Sequence, residues 1–189
     1  EYDEAIKLGE NDKSEVIQSN LISVYLLQEK YNKVEEIAKK FDCAEIQSQL
    51  VTAYVNQRLY DKAQMVINQY PKFPIMQSQL ITIYMLKGEY DKAEKLAKRF
   101  PNYAPIQSQL VTIYIKKWQD EEAVKIADNF KWYEPIQEQL LELYMNQNNF
   151  KKAKEIADFM PHSKIIKNKF LSFRNITGGD KLADDDFDR

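Results

Sequence analysis

The chain has 189 residues, 27 Lys and Arg against 29 Asp and Glu, a net charge of −2 and 44% hydrophobic residues. That balance argues against a polycationic nucleic-acid wrapper and a disordered acidic chain, and a single cysteine, Cys43, excludes an internal disulfide framework. No apolar run approaches the roughly 18–20 residues that span a bilayer and no signal-peptide core opens the chain, so no membrane contact is expected and a cytoplasmic location is.

The sequence opens on "YDEAIKLGE" at 2–10, which reads as the middle of a helix pair. Residues 1–12 are expected to be the second helix of a partial leading repeat, and the chain a fragment of a longer protein. From residue 13 a unit then recurs. "IQSQLVTAYV" at 46–55, "MQSQLITIYM" at 76–85 and "IQSQLVTIYI" at 106–115 are near copies of one another. Aligned on its leucine, the motif gives Leu21, Leu50, Leu80, Leu110 and Leu140, with Phe170 in a sixth, degenerate copy, at steps of 29, 30, 30, 30 and 30 residues. Within a unit, Ile106, Leu110, Val111, Ile113 and Tyr114 cover one broad face at helical spacing and leave Gln107, Ser108, Gln109 and Thr112 off it.

A second helix follows after a short turn. Its inward positions are Tyr60, Ala63, Val66, Ile67 and Tyr70 in one unit and Tyr90, Ala93, Leu96, Ala97 and Phe100 in the next. Acidic residues open it (Asp61, Asp91, Glu121) and basic ones close it (Lys39, Lys40, Lys98, Arg99), the order favoured by the helix dipole. Pro71, Pro101 and Pro161 stop it, and Pro105 and Pro135 sit where the first turn of the next helix tolerates proline. The pattern predicts an array of helix, turn, helix and loop over 13–172, ending in an unpaired capping helix. Residues 173–189 are expected to form an acidic flexible tail or linker: 177–189 holds five Asp against one Lys and one Arg.

Leu110, Tyr114, Ala123, Ala127 and Phe130 together resemble the tetratricopeptide repeat signature, and "KGEYDKAEKLA" at 87–97 is the nearest copy, with Gly88 and Tyr90 at the turn positions. The resemblance covers about residues 1–172 and implies an all-α fold, a right-handed α-solenoid of stacked antiparallel helix pairs. The family period is about 34 residues, so each unit here is about one helical turn short, and the prolines place the loss at the end of the second helix. The small residue usual after the leucine is bulky here: Ile22, Val51, Ile81, Val111 and Leu141.

In this family the first helices line a concave groove. The resemblance carries the groove positions onto Ser48, Thr52, Val55 and Asn56; Ser78, Thr82, Met85 and Leu86; Ser108, Thr112, Ile115 and Lys116; and Glu138, Glu142, Met145 and Asn146. The first unit supplies Ser19, Ser23, Leu26 and Leu27. Such a groove implies a protein or peptide partner, an extended peptide or an amphipathic helix, with a second copy of the chain as an alternative. It has no lysine rows to clamp a terminal carboxylate, and Glu138 and Glu142 make its last part acidic. The competing reading of the small polar residues is packing: Ser and Thr let first helices approach, and Gln amides bond across repeats or to water.

Catalysis has no support in the sequence and no cofactor is expected. His162 is the single histidine and falls in a loop, Cys43 falls in another with no partner for a thiolate mechanism, and four scattered glycines, Gly9, Gly88, Gly178 and Gly179, make no phosphate loop. "NIT" at 175–177 matches a glycosylation triplet without other signs of secretion. Tyr25, Tyr54, Tyr84, Tyr114 and Tyr144 recur on the buried face as core, and Phe73, Tyr103, Trp132 and Tyr133 are expected to cover the shortened helix ends. A basic phosphate track for RNA is lacking, so nucleic acid is not an expected partner. A non-catalytic interaction scaffold is the reading; a regulatory or dimerisation segment of a larger protein, and a single-stranded RNA binder, are the alternatives.

Overall fold

The computed structural model describes residues 6, 7, 9 and 12–177, and among them every regular element is helical. Five first helices of 13 residues each, α1 (Glu15–Leu27), α3 (Ala44–Asn56), α5 (Pro74–Leu86), α7 (Ala104–Lys116) and α9 (Glu134–Asn146), alternate with shorter second helices. These are α2 (Tyr31–Ala38), α4 (Tyr60–Ile67) and α6 (Tyr90–Ala97), with 8 residues each, and α8 (Asp120–Asn129) and α10 (Phe150–Phe159), with 10 each. The short helices lie where the prolines placed the shortening. A final helix, α11 (Lys164–Thr177), closes the described chain.

The turn inside each pair has three residues, which forces the two helices antiparallel. It is closed in the same way five times. The residue after the helix cap takes a left-handed conformation, at Glu29, Arg58, Gly88, Trp118 and Asn148. The next N–H then reaches back to the carbonyl of the repeated tyrosine: Lys30 to Tyr25, Leu59 to Tyr54, Glu89 to Tyr84 and Asn149 to Tyr144 at 2.8 Å, and Gln119 to Tyr114 at 2.9 Å. This six-to-one bond is the Schellman closure, which favours glycine at the left-handed position. Only one of the five positions has glycine, so the family's turn signal at Gly88 understates how often the turn is made.

The chain divides into two compact units, Glu1–Ala93 and Glu94–Arg189. In the first, α1 packs on α2 and α3, α2 on α3, and both α3 and α4 on α5 as well as on each other. In the second, α7 packs on α8 and α9, α8 on α9, and both α9 and α10 on α11 as well as on each other. Within each unit these contacts run between helices one or two places apart along the chain, the nearest-neighbour stacking of a helical-repeat solenoid.

The core follows from the departure seen in the sequence. Ile22, Val51, Ile81, Val111 and Leu141 are all 0% exposed, more buried than the signature leucines before them. On the second helices the fully buried positions are mostly alanines, Ala63, Ala93, Ala123 and Ala153. Large branched side chains on one helix and methyls on the other let the layers interdigitate at native density.

Three expectations need correction. Tyr54 and Tyr84 are half-buried rather than core; an amphipathic ring can keep its hydroxyl wet, and Lys62 and Lys92 lie over the two rings at 5.4 and 5.8 Å. The last helix runs past 172 to Thr177, because Phe173 is buried and its ring stacks on Phe150 at 6.1 Å, beside Phe170 at 5.3 Å. Gln107 is buried rather than lying on an open face, for reasons given below. Of the expected leading helix, residues 6, 7 and 9 are helical; the rest of it, and the tail from 178 on, lie outside the described residues.

Trp118 is 90% exposed at φ +59°, so it carries left-handed strain without packing to offset it. Trp118→Gly should therefore raise stability by about 1 kcal/mol, measured by urea denaturation with an unchanged m-value. A loss of stability would show that the exposed ring contributes to the fold.

Candidate functional site

The glutamine three residues before the signature leucine is a structural staple in four of the five copies, at Gln18, Gln47, Gln107 and Gln137. An α-helix ends with carbonyls that have no intrahelical donor, and the second helices here end early. Gln47 Nε2 donates to Ala38 O at 2.8 Å and Phe41 O at 3.0 Å. Gln107 donates to Ala97 O at 3.4 Å and Phe100 O at 2.9 Å, and Gln137 to Ala127 O at 2.9 Å and Phe130 O at 3.2 Å. Gln18 does the same at the head of the array, to Gly9 O at 2.8 Å and Asp12 O at 2.5 Å. One side-chain amide on a first helix thus closes the frayed end of the preceding second helix, which is why Gln18, Gln107 and Gln137 are buried.

The serine and the second glutamine tie first helix to first helix. Gln49 Nε2 donates to Ser19 O at 3.0 Å and Ser23 Oγ at 3.1 Å. Gln79 donates to Ser48 O at 2.7 Å and Thr52 Oγ1 at 3.1 Å, and Gln139 to Ser108 Oγ at 2.9 Å. The threonines bond backward within their own helices: Thr52 to Ser48 O and Thr82 to Ser78 O at 3.1 Å, Thr112 to Ser108 O at 3.2 Å. Ser48 is buried, with its hydroxyl on Glu45 O at 2.8 Å. The packing reading of Gln-Ser-Gln therefore holds for these hydroxyls and amides, and Ser48 is not an open groove position.

The other groove positions are distributed by depth. Thr52, Ser78, Thr82, Met85, Ser108 and Thr112 are half-buried, whereas Asn56, Lys116 and Asn146 are exposed at the C-terminal ends of their helices. Leu26, Val55, Met85, Ile115 and Met145, each five residues after the signature position, are all half-buried, and Leu27 and Leu86 beside them are exposed. Glu138 and Glu142 are not free acids, since Lys169 of α11 pairs with both, at 2.6 Å to Glu138. Hydrogen bonding to these two carboxylates, Glu138 first, holds the Lys169 ammonium above its ordinary pKa.

A second set of ties was not read from the sequence. The residue capping each later first helix reaches an acid on an earlier second helix: Lys87 to Asp61 at 3.3 Å, Lys117 to Glu94 at 2.6 Å and Gln147 to Asp120 at 2.8 Å. Glu94 also takes Lys98 at 2.5 Å, and the hydrogen bonds from Lys117 and then Lys98 hold its carboxyl below the ordinary 4.5. Asp61, credited above to the dipole alone, and Asp120, both in the first turns of their helices, thus also serve as cross-repeat acceptors. The loop aromatics do contact one another, Tyr70 with Phe73 at 6.0 Å and Trp132 with Phe130 at 6.0 Å and Tyr133 at 5.7 Å. Phe73, Tyr103 and Trp132 nonetheless remain exposed, so they cover the helix ends only in part.

No family model and no curated protein matches the sequence. Among solved structures, a thermophilic TPR protein of Thermus thermophilus is similar, with a TM-score of 0.61 at 16% identity over 92% of this chain and 98% of that one. The fold is tetratricopeptide-like. At that identity the likeness carries architecture alone. Within the tetratricopeptide-like repeats, His162 is exposed and Cys43 half-buried at the start of α3. Among the described residues, no group of three or more His, Cys, Asp or Glu could hold a metal ion and no helix is long and apolar enough to cross a membrane.

The two glutamines of the motif should respond differently to substitution. Gln137→Leu removes two hydrogen bonds to helix-end carbonyls that each keep one backbone N–H donor, and should cost about 1–3 kcal/mol. Gln79→Leu also removes an amide oxygen that is buried without a donor, so it should cost less, about 0–1 kcal/mol. Chemical denaturation of both variants checks the order; equal costs would remove the capping role.

Proposed function

We propose that this chain is a non-catalytic protein-interaction scaffold, and that within each unit the first-helix face takes an extended peptide or a helix of a partner protein. Folds of this type typically serve interaction rather than catalysis. The observation that carries the reading is the row of apolar side chains five residues after each signature leucine, with Leu27 and Leu86 beside it, which the stacking leaves partly open. Leu27 and Leu86, 70% and 55% exposed, are the strongest members, and a recurrent open apolar strip bordered by polar groups is what a docked chain covers.

The hydroxyls take a supporting part. With Thr52, Thr82 and Thr112 turned to their own helix carbonyls, the partner's contacts fall to Asn56, Met85 and Leu86 over Ser78 in the first unit, and to Lys116, Glu142 and Asn146 over Ser108 in the second. Main-chain amides of an extended partner can still bond to the asparagines, while its side chains seat on the aliphatic strip.

Panning a random-peptide display library against the whole chain tests this. Recovered peptides should lose at least tenfold in affinity for the double variant Asn56→Arg with Leu86→Arg, both at exposed positions. They should keep their affinity for Lys95→Glu with Lys125→Glu on the second helices. The opposite pattern would place the binding surface on the second-helix face.

A further inference from the structure

On the first-helix side of the Glu1–Ala93 unit, where the N-terminal turns of α3 and α5 come near α1, lies an open cleft of about 250 Å³. Its lining includes Ser19, Glu45, Ser48, Gln49, Phe73 and Ile75. Phe73 and Ile75 are 45% and 49% exposed, so an aromatic ring and a branched aliphatic are presented there to solvent.

The hydrogen-bond inventory of this cleft is one-sided. The Ser48 hydroxyl is spent on Glu45 O, and the Gln49 amide hydrogens on Ser19 O and Ser23 Oγ. Acceptors are left over. Gln49 Oε1 is buried and finds no donor, and the exposed Glu45 carboxylate is in no ion pair among the described residues. A buried acceptor without a donor is costly, and the cost is relieved by any group that brings one. Glu45 is also the only formal charge among the lining residues. The cleft therefore favours a ligand that is cationic, rich in donors, planar enough to lie on the Phe73 ring and joined to an apolar stem. Arginine meets all four conditions, with five N–H donors and a flat, weakly hydrated cation; lysine meets three.

We propose that this cleft is a specificity pocket for an arginine side chain of the partner segment, a refinement that rests on the first-helix reading above. The chain already uses the same pairing internally at its other end, where Lys169 reaches from α11 to Glu138 and Glu142 on α9. There the cation is built in; at Glu45 it comes from outside.

The probe is Nα-acetyl-argininamide, titrated into the whole 189-residue chain and followed by backbone amide NMR. Saturable shifts should centre on Glu45, Ser48, Gln49 and Ile75. Glu45→Gln should raise the half-saturation concentration at least fivefold, and Phe73→Leu at least twofold. Nα-acetyl-citrullinamide, of the same shape without the charge, should bind at least fivefold more weakly than the arginine probe. Shifts centred elsewhere, equal binding of the citrulline probe, or indifference to Glu45→Gln each overturn the pocket. Its failure is separable from failure of the first-helix reading. Library peptides that need Asn56 and Leu86 but bind Glu45→Gln unchanged leave that reading standing and remove the pocket.

Discussion

The array depends on how the short second helices end. A helix of eight residues, such as α2, leaves a large share of its carbonyls without intrahelical donors, and ending it near the next first helix would ordinarily bury some of them unpaired. Gln47 removes that penalty at α2 by supplying two N–H donors from a position fixed by the next helix's own packing, and Gln107 and Gln137 add second donors to carbonyls that a backbone N–H already holds. Capping and repeat stacking are therefore the same interaction: the bond that closes one helix also sets the place of the next.

The other features are consistent with that economy. Branched residues at Ile22, Val51, Ile81, Val111 and Leu141 fill the pair interior that alanines on the second helices leave open. The repeated tyrosine works through its backbone as well as its ring, since its carbonyl accepts the bond that closes each intra-pair turn. Its ring meets a lysine in four repeats, Lys62, Lys92, Lys98 and Lys152 lying 5.0–5.8 Å from the centroids of Tyr54, Tyr84, Tyr114 and Tyr144. A long aliphatic stem with a cation at its tip covers a ring that could be neither wholly buried nor wholly wet.

Much of this was legible in the sequence because a period of 30 and a helical rhythm are properties of residue spacing. Helix order, the place of the shortening and the buried face at Ile106 to Tyr114 all follow from it. The polar positions were harder. Periodicity assigns Gln107 to the non-apolar face, yet its burial depends on a carbonyl ten residues earlier in the chain, a partner that only the tertiary arrangement supplies. The acidic pair Glu138 and Glu142 looked like an open patch because Lys169 lies a whole repeat away in sequence. The end of α11 was placed too early since the stacking of Phe173 on Phe150 outweighs the polar residues beside it. The proposed binding face is the least legible part, because the same serines and threonines serve packing in this fold and could serve recognition in another.

The claim that side-chain amides cap the second helices is open to direct observation. Scalar couplings across hydrogen bonds, measured by NMR on the uniformly 15N,13C-labelled chain, should connect the Gln107 side-chain nitrogen to the Phe100 carbonyl and the Gln137 side-chain nitrogen to the Ala127 carbonyl, with both amide groups exchanging far more slowly than that of exposed Gln57. Side-chain amides at Gln107 and Gln137 that show no such couplings and exchange as fast as Gln57 would contradict the account.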